Sequence, residues 1–360
     1  MKTGTVAVAL VVLITLLLPQ AVRPCTTFVL KDKTGNLYFG RNFDFGIGLG
    51  HIQVNQRNVK KTAAPLPDEK PFAWVARYGS LSFNQNGREF PYGGMNEAGL
   101  VIAQMMHESE ACQYPEKDDR TGLGELNWIQ YQLDTAATVA DILASDKAVR
   151  ISNSSVAPLH FLAADAEGGV AVVEYVDGRM VFRSGSDLPV TACANDTYAD
   201  VLAYYEKLMP EEQEAIDNPE GVISSQNRFA RAAYLVEKYK ASEDPVDYSL
   251  DVLRKVSSHS TKWSLVYDLT KRTVHLRTSE NLRLRTFALK DIPMACDGPR
   301  MYGDIDSVLN REDFRPYSPE ENAAVVEKVW SQVDFLRTLP MEVRTLYATF
   351  ADEAPECQDK

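Results

Sequence analysis

Grouped runs of alternating apolar and polar residues, separated by stretches with helical spacing, predict an α+β fold on antiparallel sheet. Strand-like segments occur at 170–175, 180–182, 262–268, 273–278 and 282–289, joined by short turns. Helical spacing fills the gaps: residues 123–133 put Leu126, Ile129 and Leu133 on one face, and 198–208, 228–239 and 245–256 repeat the pattern. Thr138 with Asp141 reads as the N-terminal cap of a further helix. Strands run with strands and helices with helices, which is the order of α+β rather than of a parallel βαβ sheet.

The chain has 360 residues, 45% hydrophobic and 24% charged, which excludes disordered, collagenous and coiled-coil classes. Length alone allows two domains. No repeat or low-complexity linker divides it, so residues 25–360 are read as one domain. From about residue 318 it carries a helical C-terminal extension, with Trp330, Phe335 and Leu346 as apolar anchors, read as an appended packing or oligomer element. Lys+Arg 38 against Asp+Glu 50 gives a net charge of -12, with no basic cluster, which argues against nucleic-acid binding.

Lys2 precedes an apolar run over 6–18, closed by Pro19, Gln20 and Ala21, the layout of a secretory signal peptide at 1–21. The run is shorter than the about 20 residues of a membrane span. A periplasmic or secreted protein without a stable membrane anchor is therefore expected. Residues 22–24, Val22-Arg23-Pro24, are then a short pro-segment in front of Cys25. Arg and Pro there are a poor context for lipidation, which favours small residues before the cysteine.

Cysteines stand at 25, 112, 193, 296 and 357, an odd number, so at least one thiol is unpaired. The last four allow three pairings, and their spacing does not choose among them. No CxxC occurs, and the histidines at 51, 107, 160, 259 and 275 have no metal spacing and read as structural. No metal or cofactor is expected.

Cys25-Thr26-Thr27-Phe28-Val29-Leu30 is β-rich, Thr34-Gly35-Asn36 is a turn signal, and Leu37-Tyr38-Phe39-Gly40-Arg41-Asn42 reads as a returning strand. A hairpin starting at Cys25 brings Arg41 and Asp44 back beside it. A terminal cysteine carries nucleophile and base together, since its own α-amine, with a pKa of about 7.7 to 8.0, can take the thiol proton. Arg41 would lower the thiol pKa from about 8.5, and Asp44 would orient the amine.

These residues resemble the choloylglycine hydrolase family, the N-terminal-nucleophile amidases that include conjugated bile acid hydrolases and penicillin V acylases. Cys25-Thr26-Thr27 and Gly40-Arg41-Asn42-Phe43-Asp44 look like the family's opening Cys and R-x-x-D element. Gly94-Met95-Asn96-Glu97-Ala98-Gly99-Leu100 is similar to its G-x-N-E-x-G-L segment, and Pro158-Leu159-His160-Phe161 with Val173-Glu174-Tyr175 to its central hairpin. Ala194-Asn195-Asp196-Thr197-Tyr198, Asn227-Arg228-Phe229-Ala230-Arg231-Ala232 and the stretch 263–268 follow in family order. Ala194, Thr197 and Asn227 depart from the usual Thr, Pro and Ser.

The resemblance implies a four-layer αββα N-terminal-nucleophile hydrolase sandwich of two antiparallel sheets. It makes Cys25 the nucleophile, sets Arg41, Asp44 and Arg228 at the reacting end, and makes the Asn195 side chain and the Asn96 backbone N–H the oxyanion donors. Ile47 and Leu49, in the loop Gly46-Ile47-Gly48-Leu49-Gly50, are read with Phe83, Met105 and Met106 as lining an apolar acyl site. The expected activity is hydrolysis of a linear, non-peptide amide through a thioester on Cys25, autocatalytic processing being one route to the free terminus. The substrate would be a small acyl amide such as a conjugated bile acid, penicillin V or an N-acyl homoserine lactone. The resemblance also carries a homo-oligomer, often a tetramer. The rival reading is an exported or lipid-anchored binding protein on an inactive amidase scaffold.

Overall fold

The computed structural model describes residues 25–215, 224–240 and 242–358. The signal peptide and pro-segment read at 1–21 and 22–24 lie outside the described residues. The opening hairpin pairs Thr26–Lys31 with Leu37–Asp44, in a register that sets Thr27 opposite Arg41 and Thr26 opposite Asn42. Cys25, one step before this ladder, is therefore delivered to the Asp44 end of the returning strand.

A six-stranded antiparallel sheet grows on both sides of the hairpin, in the order Ala192–Cys193, Thr26–Lys31, Leu37–Asp44, Thr261–Asp268, Thr273–Thr278, Arg285–Ala288. The second sheet is antiparallel with nine strands. Its centre runs Val170–Val176, Leu159–Ala164, Val101–Met106, Gly93–Asn96, Ser80–Asn84 and His51–Asn55, with Arg179–Ser184 at one edge and Met301–Asp304 and Arg315–Pro316 at the other.

The sheets face each other. Phe83 of the larger packs edge-on against Tyr267 of the smaller with ring centroids 6.2 Å apart, and Thr27 donates to Met105 Sδ at 3.4 Å. Helices cover the outer faces: Ser225–Lys238 and Pro245–Lys255 lie on the smaller sheet, where Asn42 Nδ2 donates to Leu253 O at 2.7 Å. Helix Glu125–Thr135 lies on the larger sheet, where Trp128 meets Phe161 at 4.8 Å. This is the helix–sheet–sheet–helix sandwich expected, with one apolar cluster running from Cys25 to Leu336.

Local signals explain the helix starts. Thr138 and Asp141 form a reciprocal capping box for Val139–Ser145, and Asp244 caps Pro245–Lys255 through the N–H groups of Val246 and Asp247. The strand expected at 282–289 is confined to Arg285–Ala288, because Leu282 is exposed and Leu289 opens a short 3-10 turn. Strands His51–Asn55 and Ser80–Asn84 went unread, since every residue in them is buried and the period-two signal of a half-exposed strand vanishes.

Beyond the sheets, Pro319–Gln332, Asp334–Arg337 and Met341–Thr349 form the helical extension. A disulfide joins Cys296 to Cys357, while Cys25, Cys112 and Cys193 are free thiols.

Candidate active site

The hairpin register places Cys25 Sγ 3.9 Å from the backbone oxygen of Asp44, and both residues are buried. The next strand, Thr261–Asp268, sets Thr261 opposite Asp44. Thr261 donates its hydroxyl to Asp44 Oδ1, and Ser258 donates to the same oxygen at 3.3 Å. Asp44 Oδ2 is buried with no hydrogen-bond partner among the described residues. Burial pushes the Asp44 carboxyl up to about 6, against the lowering pull of the Thr261 hydroxyl and of Arg228.

Arg41 is wholly buried and donates to two backbone carbonyls, Tyr92 O and Gln104 O, the latter at 3.1 Å. A Cβ on Gly93 would stand 2.5 Å from Arg41 Nη1 and 2.6 Å from the carbonyl oxygen of Ile102, so glycine is what lets the guanidinium lie against the larger sheet. Burial pushes the Cys25 thiol up, with Asp44 adding to it, and this outweighs the lowering by Arg41 expected from sequence.

Arg228, in the first turn of Ser225–Lys238, ties the site together. Its Nη1 donates to Cys25 O and to Thr26 Oγ1, and its Nη2 to Asn195 Oδ1 at 2.9 Å. One guanidinium thus holds the main chain of the candidate nucleophile and the side chain of the candidate oxyanion donor. Asn195 also donates from Nδ2 to Met106 O at 2.8 Å, and its backbone N–H goes to Ser225 Oγ at 2.8 Å. Asn195 is fully buried.

Behind Asn195 lies the one group of three ligand-type side chains that pack together among the described residues, His107, His160 and Glu174, whose ligand atoms all lie within 4.8 Å of one another. Their hydrogen bonds hold the turn at 194–198. His160 Nε2 donates to Ala194 O at 2.7 Å, and Glu174 accepts from Tyr198 N–H at 2.8 Å. Burial would raise Glu174, yet the His160 contact at 3.4 Å, the nearby His107 ring and the Tyr198 N–H hold its carboxyl below the ordinary range.

The structure brings Cys25, Arg41, Asp44, Asn195 and Arg228 together and leaves Asn96 out. The Asn96 backbone N–H is spent on Leu100 O at 3.0 Å, and its side chain accepts from Ala98 N and Leu100 N and donates to Leu133 O and Ala136 O. It shapes the turn after Gly93–Asn96 and pins the end of helix Glu125–Thr135. That is turn chemistry rather than oxyanion chemistry.

A narrow cleft begins at Cys25 and Asp44. Of the acyl-site residues read from sequence, Met106 lines it. Ile47, Leu49, Phe83 and Met105 do not. The carbonyls of Ile47 and Leu49 are held by Gln85 Nε2, and Phe83 and Met105 sit between the sheets. The walls are instead Phe43, Phe45 and Tyr92, with Trp330, Leu336 and Tyr347 of the extension. Ser258 and Thr261 were also missed. Their hydroxyls stand just before a strand legible in sequence, and pairing that strand with the hairpin would have placed them on Asp44.

A cysteine at the head of a hairpin, inside two facing antiparallel sheets sheathed by helices, is the layout of an N-terminal-nucleophile hydrolase. The solved penicillin V acylase of Agrobacterium tumefaciens superposes with a TM-score of 0.69 at 23% identity, over 82% of this chain and 98% of that one. A conjugated bile acid hydrolase of Clostridium perfringens gives 0.64 at 18%, over 79% and 98%. In sequence, a penicillin V acylase of Pectobacterium atrosepticum is 24% identical, over 68% of this chain and 75% of its own length. A conjugated bile acid hydrolase of Lactobacillus gasseri is 24% identical over 76% and 98%. The model of the linear amide C-N hydrolases, choloylglycine hydrolase family, matches residues 25–302, and the chain belongs to that family.

Proposed function

We propose that the protein hydrolyses a linear, non-peptide amide of an apolar acyl group through a thioester on Cys25, after export and removal of residues 1–24. The observation that carries this reading is the meeting of Cys25, Asp44, Asn195 and Arg228 at the head of an apolar cleft. The Cys25 α-amine takes the thiol proton as Sγ attacks the substrate carbonyl carbon. A raised thiol pKa suits transfer on demand better than a standing thiolate. Asp44 Oδ2, which has no hydrogen-bond partner among the described residues, is the acceptor we assign to orient the amine. The Asn195 side chain, held in place by Arg228 and Met106 O, is the donor we assign to the developing oxyanion, and such a donor is commonly worth about 2.7 to 4 kcal/mol. The α-ammonium then protonates the departing amine as the C–N bond breaks. Water, deprotonated by the same amine, cleaves the thioester, releasing the acid and restoring the thiol.

Amine release from penicillin V, glycine- and taurine-conjugated bile acids and long-chain N-acyl homoserine lactones tests this, with the chain shown by intact mass to begin at Cys25. Cys25→Ala is expected to lose turnover by about 10³-fold or more. Full turnover by Cys25→Ala, or by a chain still carrying Val22-Arg23-Pro24, would overturn it.

A further inference from the structure

The extension lies beyond the family match, which ends at residue 302, yet it lines the same cleft as Cys25. It is tied to the loops beside the larger sheet. Asn322, buried in Pro319–Gln332, accepts from Arg88 N–H at 2.9 Å and donates to Ala348 O at 2.7 Å, which joins the extension's two longer helices to the loop 85–92. Gly87 in that loop has φ +91°, and a Cβ there would collide with the backbone carbonyl of Tyr347. Phe90 stacks on Tyr347 at 4.2 Å, and the Cys296–Cys357 disulfide anchors the far end.

A hydrogen-bonded relay then runs from the extension to the reacting end. Trp330 Nε1 donates to Asn86 Oδ1 at 2.9 Å, Asn86 Nδ2 donates to the Tyr92 hydroxyl at 3.0 Å, and the Tyr92 carbonyl accepts from Arg41. Facing this relay, Phe43 stacks on Tyr92 at 4.9 Å, its ring tilted by 25°. The cleft is thus lined both by Phe43 and Tyr92 of the sheets and by Trp330, Leu336 and Tyr347 of the extension. Gln104 adds one polar feature, an Oε1 that is buried with no hydrogen-bond partner among the described residues and that belongs to a residue of the wall.

We infer that the C-terminal extension is the acyl-selecting wall of the site, and that the slot it closes takes a planar aryl or single alkyl acyl group and shuts out a fused-ring steroid acyl group. Phe43, Tyr92, Trp330 and Tyr347 give the cleft rigid aromatic lining, which packs well against flat or thin apolar groups. A hydrophobic pocket discriminates by size where its walls cannot yield, and this wall is held by Asn322, Trp330 and a disulfide. Gln104 Oε1 is the acceptor for a donor on the substrate, such as its amide N–H. The inference rests on the amidase reading for its substrate, but the wall can be measured without turnover.

The experiment alkylates the chain beginning at Cys25 with three thiol reagents: iodoacetamide, N-phenyl iodoacetamide and an iodoacetamide carrying a steroid. Rates at Cys25 are read by peptide mass mapping, since Cys112 and Cys193 are also free thiols, beside amine release from penicillin V and a conjugated bile acid. The wild-type protein is expected to take the phenyl reagent at a rate near that of iodoacetamide and the steroid reagent at least about tenfold more slowly. Trp330→Ala and Leu336→Ala are each expected to raise the steroid rate relative to iodoacetamide by about tenfold, with Trp330→Phe, which keeps a ring but loses the bond to Asn86, in between. Equal wild-type rates for phenyl and steroid reagents, or ratios unmoved in a folded Leu336→Ala protein, would overturn the inference. Selective alkylation without amide turnover would uphold the wall and sink the amidase reading instead.

Discussion

The two sides of the cleft are made by different kinds of chain. The reacting end comes from residues 25–44, 195, 228 and 258–261, all inside the family match, and is a lattice of charge-assisted hydrogen bonds around buried groups. The opposite wall comes from residues 330–347, beyond the match, and is aromatic and aliphatic surface fixed by a few buried polar contacts. The contrast separates chemistry from selection. A polar lattice tolerates little change, because every donor removed leaves a buried acceptor unpaired. An apolar wall can be reshaped at modest cost and changes what is accepted before it changes what is done.

The largest break in that comparison is expected at Arg228, where the lattice converges. Arg228→Ala leaves Cys25 O, Thr26 Oγ1 and Asn195 Oδ1 without their donor, all in buried surroundings. Turnover should fall by on the order of 10²-fold or more, and urea unfolding should show a loss of about 3 kcal/mol. Arg228→Lys should rescue little, because an ammonium cannot span the three acceptors that the planar fork reaches. Rescue to near wild-type turnover would show that charge alone is needed there.

A smaller effect sharpens the electrostatics of the reacting end. Asp44 sits at about 6 and must be ionised to accept from the Cys25 amine, so turnover should fall as pH drops through about 6. The sign for stability is the reverse. The folded value lies above the unfolded value of about 3.9, so the folded state binds more protons between them, and Asp44's contribution to stability declines as pH rises through that window. Thr261→Val removes a hydrogen bond that lowers Asp44, so the acid limb of the pH–rate profile should move up by about 0.7 unit, the equivalent of roughly 1 kcal/mol. A limb that stays in place would mean that another group controls it.

The same contrast explains what could be read in the sequence. Cys25, Arg41 and Asp44 were legible because a hairpin converts short spacing into proximity, and Arg228 and Asn195 because each sits in a distinctive local motif. Asn96 misled because the same Asn-Glu-Ala-Gly string serves a turn, and the choice depends on whether Leu100 O takes its N–H. The acyl wall was illegible for a different reason. Ile47, Leu49, Phe83 and Met105 are as apolar as Phe43 and Trp330, and apolarity does not say which cavity a side chain faces. Trp330 is 244 residues from its partner Asn86, a separation that no local pattern encodes. The extension was recognised as helical, and its place beside the nucleophile came only with the fold.

The smallest expected effect decides whether the extension is wall or mere cover. Asn322→Ala cuts both of its hydrogen bonds, leaving Arg88 N–H and Ala348 O unpaired, and should cost about 2 kcal/mol in urea unfolding. Loss of stability alone is what outside packing predicts. If the helices bearing Trp330 and Tyr347 hold the acyl group, loosening them must also weaken its binding while Cys25, Asp44, Asn195 and Arg228 keep their geometry. KM for the fitted acyl amide should then rise by about threefold with kcat nearly unchanged, because the lost contact is shared by ground state and transition state. A fall in kcat at constant KM would carry the disturbance through Asn86 and Tyr92 to Arg41, making the extension a support of the reacting end rather than a wall of the acyl slot.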